Sequence, residues 1–321
     1  MSGGGVGLVA DIGGTNARFG LAASGERVSE VHILSAADFP TIEEAISHYM
    51  QKTGATPDRA CFAVACPPDE ETIQFTNSPW RFQPRLLASR FGFTPLIMAN
   101  DFEALALGVA HLPPEGLVEL KPGRAVQDAA RAVIGPGTGL GVSGLVRSDS
   151  GWAVLQGEGG HAGFAPQDET EIALLRYAQR QFGRVSNERI LQGAGIVLLY
   201  RFFCEQAGRS PAEMSAADIA QSDDPQAREA MHRFVAILGS VAGDLALTLR
   251  SRGGVFIGGG IVPKSLPLFR DPIFVKRFCD KGRLARMLVD MPIMVILDHC
   301  AALYGAAHLL ERRKNHDKSA A

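Results

Sequence analysis

The chain has 321 residues, enough for two domains of ordinary size. Hydrophobic residues make up 46% and charged residues 21%, the balance of a globular protein with a buried core. With 32 Lys and Arg against 34 Asp and Glu the net charge is −2, so there is no basic excess for nucleic acid and no charged block for a membrane surface.

Residues 7–34 alternate apolar and polar positions between tight turns, which predicts three antiparallel strands. A helix is expected at 41–53, with Thr41 as its N-cap and Glu44 three residues on. RACFAVACP at 59–67 reads as a buried strand stopped by Pro67 and Pro68, and TPLIMANDF at 94–102 as another, with FEALALGVAHL as the helix after it. This order predicts an α/β domain over residues 1–110.

RAVIGPGTGLGVSGLVRS then repeats the plan of the opening, an apolar run, a glycine-rich turn with a threonine, and a second apolar run. Two domains of related plan would set two such hairpins across a cleft. Helices follow at 169–183, at 196–208 and over PQAREAMHRFVAILGSVAGDLALTLRS. The apolar part of the last is too short to span a membrane and contains Asp244, so a buried helix is expected. GGVFIGGGIVP is a strand running into a glycine turn, MPIMVILDH a strand, and CAALYGAAHLLERRK a closing helix. The first residues lack the basic and apolar regions of a secretory signal. Cys61, Cys66, Cys204, Cys279 and Cys300 form no C-x-x-C pair and read as reduced thiols of a cytoplasmic protein.

Several stretches carry chemistry. In VADIGGTNARFG, Gly13 and Gly14 can take positive φ, their turn can expose N–H groups to an anion, and Thr15 adds a hydroxyl. Asp11 repels phosphate unless a divalent cation stands between them, and a carboxylate acting through water suits Mg²⁺. A plain hairpin with a surface aspartate fits the same residues. IGPGTGLGVSG reads as a second phosphate hairpin around Thr138, or as a glycine turn alone. Its literal G-x-G-x-x-G at 139–144 is no dinucleotide fingerprint, because strand, turn and strand follow instead of a helix. Gly258, Gly259 and Gly260 would let an adenosine ring lie on the backbone, or let strand and helix pack closely.

Asn100 and Asp101 end a strand ahead of a helix, where open α/β sheets place their chemistry. Asp101 suits a general base for a hydroxyl that Asn100 holds, and the pair also suits a helix cap. Glu158, His161 and Glu188, the first two among glycines that would admit a small ligand, suit the vicinal hydroxyls of a sugar. No zinc-ligand spacing includes them. Asn77 and Trp80 in FTNSPWRF belong to a sugar-side loop or to a turn with a buried tryptophan.

In this order LVADIGGTNARFGLA, FAVACP, TNSPW, NDFEALALG, IGPGTGLGVSGLV, GEGGHAGFAP, SNERIL, GGVFIGGGIVPK and YGAAHLL resemble the bacterial glucokinases without a zinc motif, within the actin, hexokinase and heat-shock ATPase superfamily. The resemblance covers essentially the whole chain. It implies a two-domain actin-like ATPase (ribonuclease H-like) fold, with residues 1–110 as the small domain, 111–301 as the large one, and helix 302–321 returning to the first. It implies that ATP phosphates contact Ala10, Asp11, Ile12, Gly13, Gly14 and Thr15 and the turn at Gly137 and Thr138; Gly258 and Gly259, from the glycine turn read above, are the expected contacts to its adenosine. It also implies that Asp101 is the catalytic base and that Asn100, Asp101, Glu158, His161 and Glu188 hold glucose. The expected cofactors are ATP and Mg²⁺, the latter at Asp11 through water. The expected partners are glucose and a second copy of the chain, with neither nucleic acid nor membrane. The C-x-C-G type cysteine cluster of zinc-binding sugar kinases is missing, so no structural zinc is expected. Another hexose as acceptor, or a sugar-sensing regulator on the same scaffold, stands as the alternative; the regulator would normally carry a helix-turn-helix ahead of the first strand.

Overall fold

The computed structural model describes residues 5–23, 28–75, 78, 80–149 and 151–319. The chain divides into two units, residues 1–114 with 298–321, and residues 115–297. Asn77 lies outside the described residues.

The first unit opens with β1 (Gly7–Ile12), β2 (Asn16–Ala22) and β3 (Ser29–Ser35), the antiparallel strands that alternation predicts. Helix α1 (Ile42–Thr53) starts where Thr41 Oγ1 accepts the Glu44 amide at 3.3 Å and stops at Gly54, whose φ of 67° needs no Cβ. Then come β4 (Arg59–Val64), buried at every residue, β5 (Ile73–Gln74) and β6 (Arg81–Phe82). Helix α2 (Pro84–Phe91), β7 (Leu96–Asn100) and α3 (Asp101–Gly108) follow. The sheet runs β3-β2-β1-β4-β7, with β1, β4 and β7 parallel. Its core holds Phe19, Tyr49, Phe62 and Trp80. Trp80 is buried, and its indole donates to Phe39 O at 2.8 Å, so it is a packed tryptophan in a turn. The sequence reading passes over β5, β6 and α2, although Pro84 at the first helical position and Gly92 at φ 72° are both helix-end signals.

The second unit contains β8 (Leu117–Lys121), β9 (Arg131–Pro136), β10 (Leu140–Ser148) and β11 (Gly151–Leu155), then α4 (Glu169–Phe182), α5 (Asn187–Ile190), α6 (Gly193–Gln206), α7 (Ala216–Gln221) and α8 (Pro225–Leu249). Strand β12 (Val255–Ile257) leads into the short helices α9 (Ile261–Lys264), α10 (Leu266–Phe269), α11 (Pro272–Cys279) and α12 (Ala285–Val289), and β13 (Ile293–Ile296) ends the unit. The sheet order is β11-β10-β9-β12-β13-β8, with β9, β12 and β13 parallel. Helix α6 begins three residues ahead of its apolar run, and a Cβ on Gly195 would stand 2.1 Å from Ile190 O. Only glycine lets that first turn lie on α5. Helix α8 is long and apolar enough to cross a membrane but is mostly buried, packed on α6 and α11. Its Arg233, with Arg277 of α11, grips Asp168 and the fully buried Glu171 of α4.

Helix α13 (Ala301–Ser319) then packs on α3, β1 and β4 of the first unit. The contact with α3 uses small residues: a Cβ on Gly108 would lie 1.8 Å from Ala301 O, and one on Gly305 1.8 Å from Ala104 O. Further along, His308 stacks on His111 with ring centroids 4.5 Å apart. Burial, then the neighbouring charges of His111 and Arg312, push the His308 imidazole down to about 4, and its Nε2 is buried without a partner among the described residues. The unfolded chain therefore takes up this proton first as pH falls. The associated stability is present above about pH 6.5 and is lost between there and about pH 4, at most about 3 kcal/mol. His308→Phe keeps the stack and removes the proton. Its melting temperature, followed by circular dichroism from pH 7.5 to 4, should fall less than that of the parent. Parallel curves would show that His308 does not contribute.

Candidate active site

In the first unit, Ile12 pairs with Val64 and Val64 with Asn100, so β1, β4 and β7 end together. The turn 13–15 and the pair Asn100–Asp101 therefore leave the same carboxyl edge, two strands and about 10 Å apart. Asn100 Oδ1 caps α3 by accepting the amides of Phe102 at 2.9 Å and Glu103 at 3.2 Å, which leaves its Nδ2 amide as a donor. Asp101 Oδ1 accepts the Phe102 amide at 2.8 Å. The cap and the carboxylate thus come from adjacent residues, and Asn100 performs most of the capping.

Ala10, Asp11 and Ile12 end β1, and Thr15 is exposed in the turn. Neither Gly13 nor Gly14 adopts the positive φ that the sequence suggests. The hairpin instead closes through the Gly13 amide on Asn16 O at 3.0 Å, in an ordinary backbone conformation. Asp11 lies opposite Arg18 across the strands, and Arg18 Nη1 donates to Asp11 Oδ2 at 2.9 Å. Burial pushes the Asp11 carboxyl above its ordinary value, against the pull of the Arg18 guanidinium. The other Asp11 oxygen makes no hydrogen bond among the described residues. An incompletely compensated carboxylate with one oxygen available fits a hydrated divalent cation.

In the second unit, Gly137 and exposed Thr138 form the turn between β9 and β10. The Gly258 amide donates to Ile134 O at 2.9 Å, which puts the turn after β12 beside it. Gly259 has φ 76°, and a Cβ there would stand 2.3 Å from Pro136 O. This glycine is required by close backbone approach to β9. The segment after β11 carries exposed Glu158 and His161. Of the glycines around them, which are expected to admit a ligand, Gly157 and Gly163 have open space where a Cβ would stand, whereas Gly159 and Gly160 do not. The latter two let the segment lie on β10: a Cβ on Gly159 would meet Val142 Cγ1 at 2.7 Å, and one on Gly160 would meet Leu140 O at 2.1 Å.

His161 stands between two carboxylates, with Nε2 4.0 Å from Glu158 Oε2 and Nδ1 3.9 Å from Glu188 Oε1. Both gaps exceed a hydrogen bond, so all three polar edges remain able to engage hydroxyls. Glu158 is 85% exposed and Glu188 25%, which makes Glu188 the preorganised member. The Asn187 amide donates to Ala162 O at 2.8 Å and the Arg184 guanidinium to His161 O at 2.8 Å, fixing the two segments together.

The glucokinase family model matches residues 8–313. The chain belongs to the glucokinase family. A family relative, the glucokinase of Chromobacterium violaceum, is 44% identical over 311 residues, covering 95% of this chain and 89% of that protein. The glucokinase of Hahella chejuensis is 43% identical over 315 residues, covering 96% and 98%. Among solved structures, a glucokinase from an Antarctic psychrotroph is similar with TM-score 0.86 and 34% identity, covering 96% of this chain and 99% of that one. The family fold is that of the actin-like ATPases, and its members are sugar kinases.

Sequence reasoning missed Arg18. The signal was available: in a hairpin turning at 13–15, positions 11 and 18 face each other, and opposite charges at facing positions pair. Arg184 had no such signal, because its partner is a backbone carbonyl.

Proposed function

We propose that this chain, an ATP-dependent glucose phosphotransferase by family, transfers the γ-phosphoryl group of ATP to the 6-hydroxyl of D-glucose, with Asp101 taking the hydroxyl proton. The observation that supports this most is the shared carboxyl edge: an Asn-Asp pair, and a glycine turn preceded by the part-buried Asp11, leave neighbouring parallel strands of one sheet. The bond between the sugar oxygen and phosphorus forms, the bond from phosphorus to the β-phosphate oxygen breaks, and the proton moves to the Asp101 carboxylate. General-base help of this kind is worth about 10²–10⁴-fold.

Asn100 Nδ2, Glu158, His161 and Glu188 bind the other hydroxyls and orient the ring. A site built of hydrogen-bonding groups rejects sugars that leave those groups unpaired. Residues 10–15 and the turn at Gly137 and Thr138 receive the phosphates of ATP, and Gly258 and Gly259 face its nucleoside. Asp11 would hold hydrated Mg²⁺, which when bound neutralises phosphate charge. Arg18 fixes the Asp11 carboxylate in place. The chain works in the cytoplasm as a homodimer. Light scattering at the mass of one chain would overturn the dimer.

A panel of glucose, mannose, fructose and glucosamine with ATP and Mg²⁺, followed by ADP release, tests the substrate. Glucose should give the highest kcat/KM. A higher value for another hexose would reassign the acceptor, and sugar binding without turnover would make the chain a sensor.

A further inference from the structure

The turn between β9 and β10 is gripped at both ends by the segment that carries Glu188. At one end the Gly193 amide donates to Gly137 O at 3.0 Å. At the other, the Leu140 amide donates to Glu188 Oε2 at 3.0 Å. The same carboxylate turns its second oxygen toward His161. Between the two ends, Gly139 leaves room for it: a Cβ at that position would stand 2.7 Å from Glu188 Oε2. The atom in the way is the tip of a side chain, so an alanine there moves the carboxylate and leaves the backbone alone.

We infer that Glu188 couples the sugar and nucleotide sites within the second unit, one oxygen reading the sugar and the other setting the shape of the Gly137–Gly139 turn, with Gly139 as the positioning residue that admits it. This rests on the sugar and phosphate roles proposed above. A sugar hydroxyl that engages Glu188 changes how firmly that carboxylate holds the Leu140 amide. By linkage, phosphates that engage the turn change how Glu188 meets the sugar by the same factor. Gly139 then influences sugar binding without touching the sugar, from a turn assigned to the nucleotide.

Two binding measurements on the full chain test this, each with the other substrate left out. Glucose titrated calorimetrically without nucleotide should bind Gly139→Ala about tenfold more weakly than the parent, because the displaced carboxylate no longer meets the hydroxyl. The non-hydrolysable analogue AMP-PNP with Mg²⁺, titrated without sugar, should bind Glu188→Gln about threefold or more weakly, because the Leu140 amide loses a charged acceptor. Glu188→Gln preserves shape, and it decides alone if Gly139→Ala does not fold. Parental AMP-PNP affinity in Glu188→Gln, or parental glucose affinity in folded Gly139→Ala, would overturn the coupling while leaving the sugar site standing. A parent chain that binds no glucose would overturn the functional reading and the coupling with it.

Discussion

Replacing Asp101 with asparagine should lower kcat for glucose by about 10²–10⁴-fold while the protein melts at the parental temperature. The substitution is structurally mild, because a carboxamide oxygen can still accept the Phe102 amide at the start of α3. Capping of that helix rests mainly on Asn100, which accepts two amides. What asparagine loses is the ability to take a proton from an alcohol as the phosphoryl group arrives. Glucose affinity at equilibrium should change by no more than a few fold, since a hydrogen-bonding oxygen remains. Steady-state ADP release together with calorimetric glucose titration separates the two effects. Parental kcat in the folded variant would remove Asp101 from the chemistry, whereas a loss confined to KM would make it a binding group only.

The largest stability effect is expected at Glu171. Its carboxylate is fully buried and accepts Arg277 Nη2 at 2.7 Å, Arg233 Nη1 at 3.2 Å and the Gln167 amide at 2.9 Å. The adjacent Asp168 caps α4. Burial works against its charge, but the Glu171 amide and the guanidiniums of Arg233 and Arg277 outweigh it and hold Asp168 below the usual carboxylate range. Helices α4, α8 and α11 meet through this network alone among ion pairs of the described residues. Glu171→Ala takes from the two buried guanidiniums the buried carboxylate they share and leaves them only the part-exposed Asp168, a loss of about 3 kcal/mol. In a unit of this size that is a fall in melting temperature on the order of 10 °C. The Glu171→Ala, Arg277→Ala double variant should lose less than the sum of the single losses, because removing a buried charge together with its partner leaves less uncompensated. Additive losses would mean that the groups pack without interacting. Calorimetry of the four proteins is the measurement.

The elements that formed as read are those with local causes. The alternation of residues 7–34 became three strands, and Thr41 with Glu44 became a helix cap. Asn100 and Asp101 stand at a strand end because the apolar run of β7 finishes there and a helical pattern begins. Most of the pieces that went unread are short, although helices α2 and α11, with eight residues each, also went unread. Strand β8 and helices α9, α10 and α12 have four or five residues each, too few to show a period. Gly13 and Gly14 show the opposite failure: glycine permits positive φ without requiring it, and here the hairpin closes without it.

The sequence by itself determined which residue types sit at strand ends, in turns and at caps, because period, cap and turn chemistry act over a few neighbouring residues. Tertiary structure decided which of those ends meet. Glu188 reaches the Leu140 amide across 48 positions. Gly259 lies against Pro136, and α13 returns to stack small residues on α3. These approaches depend on strand order and on where a Cβ would clash, and both exist only once the sheets have assembled.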